Sequence, residues 1–214
     1  MAKYDVIIVG AGPCGYNATL ELTKLRPDFK ILLIDRGNDI SRRRCPVLEH
    51  KLDKCPTNKK GYQECHPACS ITSGFGGSGA YSDGKFNITT EFGGWLGDYI
   101  SDEKLIELIK YVDDINLSFG ASADITNPET VKVKEIELKA MSVGVKLLRS
   151  KVRHLGTDEN LKILTNIFND LKTKIDSRFM IGVKDIIVEN DTVKGVMLEN
   201  GEEIYADFVL LAVG

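Results

Sequence analysis

The sequence predicts an α/β fold built on a parallel β-sheet, and three observations support this prediction. Residues 4–10 (YDVIIVG) form an apolar, β-branched run typical of a buried parallel strand. The run leads directly into G-x-G-x-x-G at residues 10–15 and then into a helical pattern at residues 16–25. Near the end, residues 207–214 (DFVLLAVG) are almost continuously apolar and predict another strand buried in the same sheet.

The glycines of the first loop have distinct roles in a dinucleotide-binding βαβ unit. Gly10 permits a tight turn, Gly12 lets the main chain approach a pyrophosphate, and Gly15 lets the helix pack on the strand. A second strand, residues 31–35, ends at Asp35, where a carboxylate can accept hydrogen bonds from ribose hydroxyls. Strand, glycines, helix, strand and acid in this order predict a Rossmann-like nucleotide site.

The rest of the chain predicts a helical insertion and then a return to the sheet. Helices are expected at 101–120, from Pro128 to before Gly144, and at 159–175, with a strand-like pattern at 145–156. Short strands separated by turns follow at 178–206 and predict a β-meander. Because the chain stops on a core strand, we expect a further C-terminal portion.

Composition restricts the possible partners and location. The formal net charge of −3 gives no reason to expect nucleic acid or an anionic membrane surface as a partner. No signal peptide precedes the first strand, and no apolar run reaches the roughly 18 residues of a membrane span. Five cysteines, an odd number, indicate thiols in a reducing cytoplasm.

A second glycine-rich stretch, residues 74–79, also spells G-x-G-x-x-G. It follows ECHPACSITS rather than a buried strand, and no strand ending in an acid comes after it, so it is not a second site of the same type. A flexible surface loop is one interpretation. Ala80, Tyr81 and Phe86 supply hydrophobic anchors that favour an ordered segment instead.

The order of these parts resembles the FAD-binding flavoproteins of the glutathione-reductase type. Residues 206–214 (ADFVLLAVG) resemble their second fingerprint, A-D-x-hhh-A-T-G, with Val213 in place of the common Thr. Residues 73–88, 93–96 and 153–158 resemble a bacterial group known only as FAD-dependent dehydrogenases. The resemblance covers nearly the whole chain. It implies a three-layer FAD/NAD(P)-binding fold in which the parallel sheet and meander are interrupted by a Cys/Gly-rich and helical insertion.

The resemblance also implies a domain plan and a set of FAD contacts. Residues 1–214 would be an incomplete FAD-binding domain, with its core at about 1–40 and 159–214, a flavin-facing segment at 70–97 and an inserted, substrate-side segment at 101–156. Glycines of the flavin-facing segment would let main-chain N–H groups reach the flavin and phosphates. The expected contacts are Gly10, Gly12, Pro13, Cys14, Gly15, Asp35, Arg36, Gly76, Gly77, Ser78, Gly79, Asp83, Gly84, Val183 and Gly214.

Three polar residues are candidates for catalysis. A Lys85 cation near the flavin would stabilise its reduced, anionic form and raise its potential, with Asp83 beside it. The alternative is that the two side chains pair with each other and only hold the loop. His154 is a candidate proton donor, and a structural hydrogen bond is the alternative.

The remaining cysteines and arginines leave alternatives open. Cys45, Cys55, Cys65 and Cys69, with His66 nearby, have the spacing C-x9-C-x9-C-x3-C, which contains no C-x2-C pair and matches no common metal motif. Thiols packed as small hydrophobes are favoured and no metal site is predicted; a Cys65–Cys69 redox pair and a metal or cluster are the alternatives. Arg36 and Arg42–Arg44 either neutralise phosphates or form a solvated charge run.

The function predicted is that of an FAD-dependent oxidoreductase that passes hydride or electrons through a non-covalently bound flavin. Its substrate or redox partner, expected to be a small molecule or an electron carrier, is not readable from the residues. An NAD(P)-dependent dehydrogenase is an alternative, but it has no need of the second glycine stretch or the meander. A non-enzymatic electron carrier is another, and fold alone does not separate it from an enzyme.

Overall fold

The computed structural model of the chain describes residues 3–56, 65 and 67–214. It divides into two compact units, Met1–Tyr81 with Leu164–Gly214 (unit 1) and Ser82–Ile163 (unit 2). In chain order the elements are β1 (Lys3–Val9), α1 (Pro13–Leu25), β2 (Ile31–Asp35), β3 (Lys85–Ile88), α2 (Asp102–Ser118), α3 (Val131–Ser142), β4 (Lys151–His154), α4 (Thr157–Leu171), β5 (Asp176–Phe179), β6 (Val183–Glu189), β7 (Thr192–Leu198) and β8 (Glu203–Leu211). Short 3₁₀ turns lie at Gly77–Tyr81 and Leu96–Asp98. No helix in these described ranges is long and apolar enough to cross a membrane.

Unit 1 is built on a six-stranded sheet with the order β5-β2-β1-β8-β7-β6. The strands β5, β2, β1 and β8 run parallel, and β6, β7 and β8 form an antiparallel meander. The predicted α/β class, with a parallel sheet and a closing meander, is therefore confirmed. The meander joins the sheet because β8 pairs with β7 near Glu203–Tyr205 and with β1 from Tyr205 to Leu211.

The main core of unit 1 joins the parallel strands to the meander. Apolar side chains of β1 and β2 pack with apolar side chains of β7 and β8, because this contact removes their surface from water. The fully or nearly fully buried members of this cluster are Tyr4, Ile7, Val9, Leu32, Ile34, Val196, Leu198, Ile204 and Ala206.

A row of aromatic rings links the second glycine-rich segment to both neighbouring helices. The Phe75 ring lies 5.6 Å from that of Tyr16 in α1 and 5.0 Å from that of Phe168 in α4, centroid to centroid. Phe168 in turn meets Phe179 of β5 at 5.8 Å. Phe75 is 0% exposed, so this segment is anchored in the core and is not a flexible surface loop.

The prediction that the closing strand is buried in the parallel sheet is right about the sheet and wrong about the burial of the strand's second half. β8 does lie in the parallel sheet, but Phe208 is 65% and Leu211 is 52% exposed. The reason is that side chains of a strand project from the faces of the sheet, and the described residues leave the faces at Phe208 and Leu211 largely uncovered. Its apolar run therefore identifies the strand correctly and overestimates its burial.

Unit 2 contains α2 and α3 and a two-stranded antiparallel sheet, β3–β4. Ser101 caps α2, as expected, by accepting a hydrogen bond from the Lys104 N–H at 3.3 Å. The strand expected at 145–156 is much shorter, since only Lys151–His154 pairs. Within it, the buried Arg153 guanidinium donates to both Asp113 carboxylate oxygens of α2, at 2.6 and 2.8 Å, and this bidentate pair fixes the helix to the sheet.

Truncating Phe75 should destabilise the fold strongly. Phe75→Ala removes a fully buried ring and leaves a cavity between α1 and α4, which costs about 3–5 kcal/mol of unfolding free energy. Urea denaturation followed by circular dichroism measures this loss. Phe208→Ala is the matched control, because its ring is exposed and its removal should change stability by less than about 0.5 kcal/mol. Equal effects of the two substitutions would contradict the proposed packing.

Candidate functional site

A cleft of about 880 Å³ opens in unit 1 at the carboxyl ends of β1, β2 and β8. Ligands of open α/β sheets bind at this edge, and the volume suits a large ligand. Its walls come from both glycine-rich segments, the start of β6 and the residues after β8. Of the residues predicted to contact FAD, those that line the cleft are Gly10, Gly12, Pro13, Cys14, Asp35, Arg36, Gly77, Ser78, Val183 and Gly214.

The N-terminus of α1 faces this cleft without a compensating group. Gly12 is the N-cap and Pro13 follows it, so no side chain caps the helix, and its first turn carries no acidic residue. The positive end of the helix dipole is therefore left for an anion. A Cβ at Gly12 would meet no atom nearer than the Gly77 Cα at 3.9 Å, so it would occupy open space in the cleft. The residues thus fit a phosphate group at this point.

Gly15 has a packing role and does not line the cleft. A Cβ at this position would lie 1.8 Å from the Gly10 carbonyl oxygen, so any side chain would push α1 away from the turn. Its place in the glycine pattern is thus explained by the close approach of helix and loop, as the sequence suggested, rather than by contact with a ligand.

Asp35 at the end of β2 is tied to the protein by both carboxylate oxygens. One oxygen accepts from the Ala11 N–H and the other from the Gly37 N–H, each at 2.7 Å. The carboxylate therefore fixes the first glycine loop against β2, and its predicted contact with a ribose stays a prediction. Each oxygen keeps a lone pair, and the side chain lines the cleft. Arg36 pairs with Glu199 at 3.4 Å on the surface.

The second glycine-rich segment packs against other backbone. The Gly76 N–H donates to the Ala11 carbonyl at 2.8 Å, and the Gly77 N–H donates to the Gly74 carbonyl at 2.9 Å. A Cβ at Gly74, where φ is +107°, would lie 2.3 Å from the Asn38 carbonyl oxygen. Bare backbone is needed here because two protein segments approach closely.

This packing corrects the expected use of the segment's N–H groups. Those of Gly76 and Gly77 were predicted to reach a flavin, but both are used inside the protein. Gly76 and Gly79 do not line the cleft, whereas Gly77 and Ser78 do. The segment contributes to the site through its shape and through these two residues.

Arg43 is a residue whose role the sequence did not reveal. Its side chain is buried, and its guanidinium donates to the main-chain carbonyls of Ser70 (2.8 Å), Phe75 (2.7 Å), Gly77 (2.8 Å) and Ile71 (2.9 Å). Burial lowers its pKa from the usual range, with nearby Tyr81, Asp35 and Cys69 acting in the opposite direction. The guanidinium therefore holds the glycine-rich segment in one conformation.

Nothing local in the run of three arginines distinguishes Arg43. Arg42 is 79% exposed and pairs with Asp39 at 3.6 Å, and Arg44 pairs with Glu49 at 3.1 Å. Those two arginines fit the solvated charge run that the sequence left open. The acceptors of Arg43 lie some thirty residues later in the chain, so a periodicity argument does not find them.

The three catalytic candidates lie together on the surface of unit 2. Lys85 Nζ and an Asp83 carboxylate oxygen form an ion pair at 2.6 Å, which lowers the pKa of Asp83. His154 is opposite Lys85 in the β3–β4 register and is exposed. Gly84 accepts the Leu155 N–H at 3.0 Å and connects the two strands. Asp83, Gly84, Lys85 and His154 all belong to unit 2, and none of them is among the residues that line the cleft of unit 1.

Four of the five cysteines, Cys45, Cys55, Cys65 and Cys69, line a second cavity of unit 1, and Cys14 is exposed in the first glycine loop. None of the five, all of which lie in the described residues, forms a disulfide. His66 lies outside the described residues. In the described part of the chain, no three His, Cys, Asp or Glu side chains converge as ligands of a single metal ion.

Comparisons with known proteins support the fold more than any particular activity. No protein-family model matches the chain. Over 36 residues, 17% of the chain, it is 50% identical to thiamine thiazole synthase of Yarrowia lipolytica and 47% identical to that of Phaeosphaeria nodorum. These matches span 11% of each relative's length.

Solved structures match over the whole chain at low sequence identity. One match is a 3-ketosteroid-Δ4-(5α)-dehydrogenase from Rhodococcus jostii, with 13% identity and a TM-score of 0.56. The matched region covers 99% of this chain and 46% of the dehydrogenase chain. An E. coli quinol fumarate reductase matches with 15% identity and a TM-score of 0.54, over 100% of this chain and 33% of the reductase chain. Glycine oxidase from Geobacillus kaustophilus matches with 13% identity and a TM-score of 0.50, over 100% of this chain and 56% of the oxidase chain. The chain thus shares the α/β fold of these proteins and spans about a third to a half of their length.

Replacing Arg43 should loosen the second glycine-rich segment. Arg43→Gln leaves several buried carbonyls without a donor, which costs on the order of 3 kcal/mol of unfolding free energy. Hydrogen exchange at the Gly76 and Gly77 amides should become faster, since their segment loses its anchor. Arg42→Gln is the control and should change neither quantity, because its side chain is solvated. Unchanged exchange in Arg43→Gln would show that the segment holds its shape without the guanidinium.

Proposed function

We propose that the chain is the FAD-binding part of an oxidoreductase. The proposal rests on the way four features meet at one cleft. They are the uncapped N-terminus of α1, the open space at Gly12, the Asp35 carboxylate and the second glycine-rich segment. These are the features that receive the pyrophosphate and ribose of a dinucleotide. The steroid dehydrogenase, fumarate reductase and glycine oxidase that share the fold are oxidoreductases by name, which agrees with this proposal.

Residues around the cleft suggest how each part of the dinucleotide is held. The main chain at Gly12 and the end of α1 would receive the pyrophosphate, and Asp35 would receive a ribose hydroxyl with the lone pairs left after its two N–H contacts. Val183 at the start of β6 adds an apolar side chain to the lining of the cleft. Gly77 and Ser78 line the cleft as well.

The second glycine-rich segment and the meander favour FAD over a nicotinamide dinucleotide. Both belong to the wall of the cleft, and the sequence resemblance associates both with flavoproteins. A bound flavin supplies hydride and electron transfer, while the protein positions it and adjusts its surroundings. Lys85, Asp83 and His154 remain candidates for the substrate side. The substrate is proposed to be a small molecule or a redox partner, since the net charge of −3 gives no reason to expect nucleic acid.

Titration of the purified chain with FAD tests this proposal. Flavin absorption bands that stay with the protein after desalting and bleach on dithionite reduction are the expected result. Gly12→Val should weaken FAD binding by tenfold or more, about 1.4 kcal/mol, because its side chain fills the space next to the α1 N-terminus. The variant should remain folded, since apart from the adjoining residues the nearest atom to the new Cβ is the Gly77 Cα, 3.9 Å away.

Ala123→Val is the matched control. It adds apolar bulk at an exposed position of unit 2, outside the segment expected to face the flavin, and FAD affinity should stay unchanged. A chain that stays colourless with FAD but binds NADH or NADPH would instead support the nicotinamide-dependent alternative. The electron-carrier alternative would be supported by a different result. In that case the bound flavin is reduced and reoxidised, but none of the substrate classes tested gives a product.

A further inference from the structure

Four cysteines, spread over residues 45–69, line one cavity of unit 1. Cys45, Cys55, Cys65 and Cys69 line a space of about 340 Å³, together with apolar neighbours such as Val47 and Ile71. Cys65 is buried, Cys45 and Cys69 are half-buried, and Cys55 is exposed. The fifth cysteine, Cys14, is elsewhere and lines the nucleotide cleft.

We propose that this cavity binds an iron–sulfur cluster through the thiolates of these four cysteines. Thiols that serve as small hydrophobes are close-packed, because protein interiors leave few voids larger than a water molecule. Here all four cysteines line open space instead. Four cysteine ligands are the usual set for both [2Fe–2S] and [4Fe–4S] clusters.

The arrangement suits a cluster better than a single metal ion. A zinc ion requires all its sulfur ligands within about 2.3 Å of one point, and in the described residues no such convergence of His, Cys, Asp or Glu exists. In a cluster, separate iron atoms bind separate thiolates, so the ligands stand further apart around a larger space. A cavity with thiols spread around its wall is the form that this chemistry needs.

Turns in the backbone bring the cysteines together despite their spacing. The Cys45 carbonyl accepts the Glu49 N–H at 2.9 Å, which reverses the chain after Cys45. The Cys69 carbonyl accepts the N–H groups of Thr72 (3.1 Å) and Ser73 (2.9 Å), which forms a second tight turn. The absence of a C-x2-C pair from the sequence therefore does not prevent a four-thiol site, because two separate turns present the ligands.

The charge beside the cavity favours an anionic occupant. Arg43 is 4% exposed, and its guanidinium donates to the carbonyls of Ser70 and Ile71 in the cavity wall. A buried charge is stabilised by opposite charge nearby, and the Asp35 carboxylate already acts on Arg43 in this way. A cluster held by four thiolates carries net negative charge and would add to this stabilisation from the side of the cavity. The Cys69 thiol is already among the groups that interact electrostatically with Arg43.

The cavity and the nucleotide cleft share one short piece of backbone. Cys69, Ser70 and Ile71 line the cavity, and the next three residues, Thr72, Ser73 and Gly74, line the cleft. A cluster in the cavity would thus be separated from a cofactor in the cleft by this segment, a position suited to electron exchange between them. That role rests on the proposed function, whereas cluster binding itself does not.

Anaerobic reconstitution tests the site. The purified chain is incubated with FAD, ferric iron, sulfide and a thiol that reduces part of the iron, then desalted and assayed for iron, acid-labile sulfide and FAD as separate quantities. We expect iron and sulfide in near-equal amounts and a paramagnetic signal after dithionite reduction. Cys45→Ser, Cys65→Ser and Cys69→Ser should each lose most of the bound iron and sulfide. Cys14→Ser should keep both, because it removes a thiol from outside the cavity.

Alkylation of the unsubstituted chain keeps the test independent of variant folding. With the cluster bound, iodoacetamide should modify Cys14 and leave the four cavity thiols protected, as read by mass spectrometry. Iron retained equally by the cavity variants, bound zinc without sulfide, or a Cys65–Cys69 disulfide in the chain after reconstitution would each overturn the proposal. Because FAD content is measured separately, an unsubstituted chain that takes up flavin but neither iron nor sulfide refutes this inference alone, and one that takes up iron and sulfide but no flavin refutes only the proposed function.

Discussion

The buried guanidinium of Arg43 is the contact on which the arrangement of unit 1 depends most. It donates to four carbonyls between Ser70 and Gly77, so a segment with few side chains still has a single conformation. That segment separates the nucleotide cleft from the cysteine cavity. Phe75 fixes the same segment from the other side by packing between α1 and α4. A polar clamp and an aromatic anchor together replace the side-chain packing that glycines do not provide.

Local sequence information was sufficient for most of the fold and for half of the site. The first strand, glycine loop, helix and acid follow one another within the chain, so their spacing alone predicts the βαβ unit and the edge at which a ligand binds. The meander was predictable because its turns at 189–191 and 199–201 are local as well. Gly12 and Asp35 then lie at the cleft because β1 and β2 are adjacent parallel strands.

Contacts between distant residues were not predictable in the same way. The carbonyls that Arg43 binds are set by how two loops fold together, and its sequence neighbours Arg42 and Arg44 are solvated. The N–H groups of Gly76 and Gly77 were expected to serve a cofactor because a glycine pattern does not show which acceptors the protein itself offers. The exposure of Phe208 has a similar cause, since apolar composition identifies a strand but not the elements that cover it.

The clamp also affects the energetics of binding. Because Arg43 bonds to carbonyl oxygens of the chain, the segment takes its shape during folding and not when a ligand arrives. The entropic cost of ordering a glycine-rich backbone, about 1–2 kcal/mol for each residue, is then met by the folding reaction. A ligand on either side of the segment meets a wall that is already formed, and preorganisation of this kind raises affinity without additional contacts. The same cation that orders the wall places positive charge beside it, so one residue both shapes the site and favours anionic ligands.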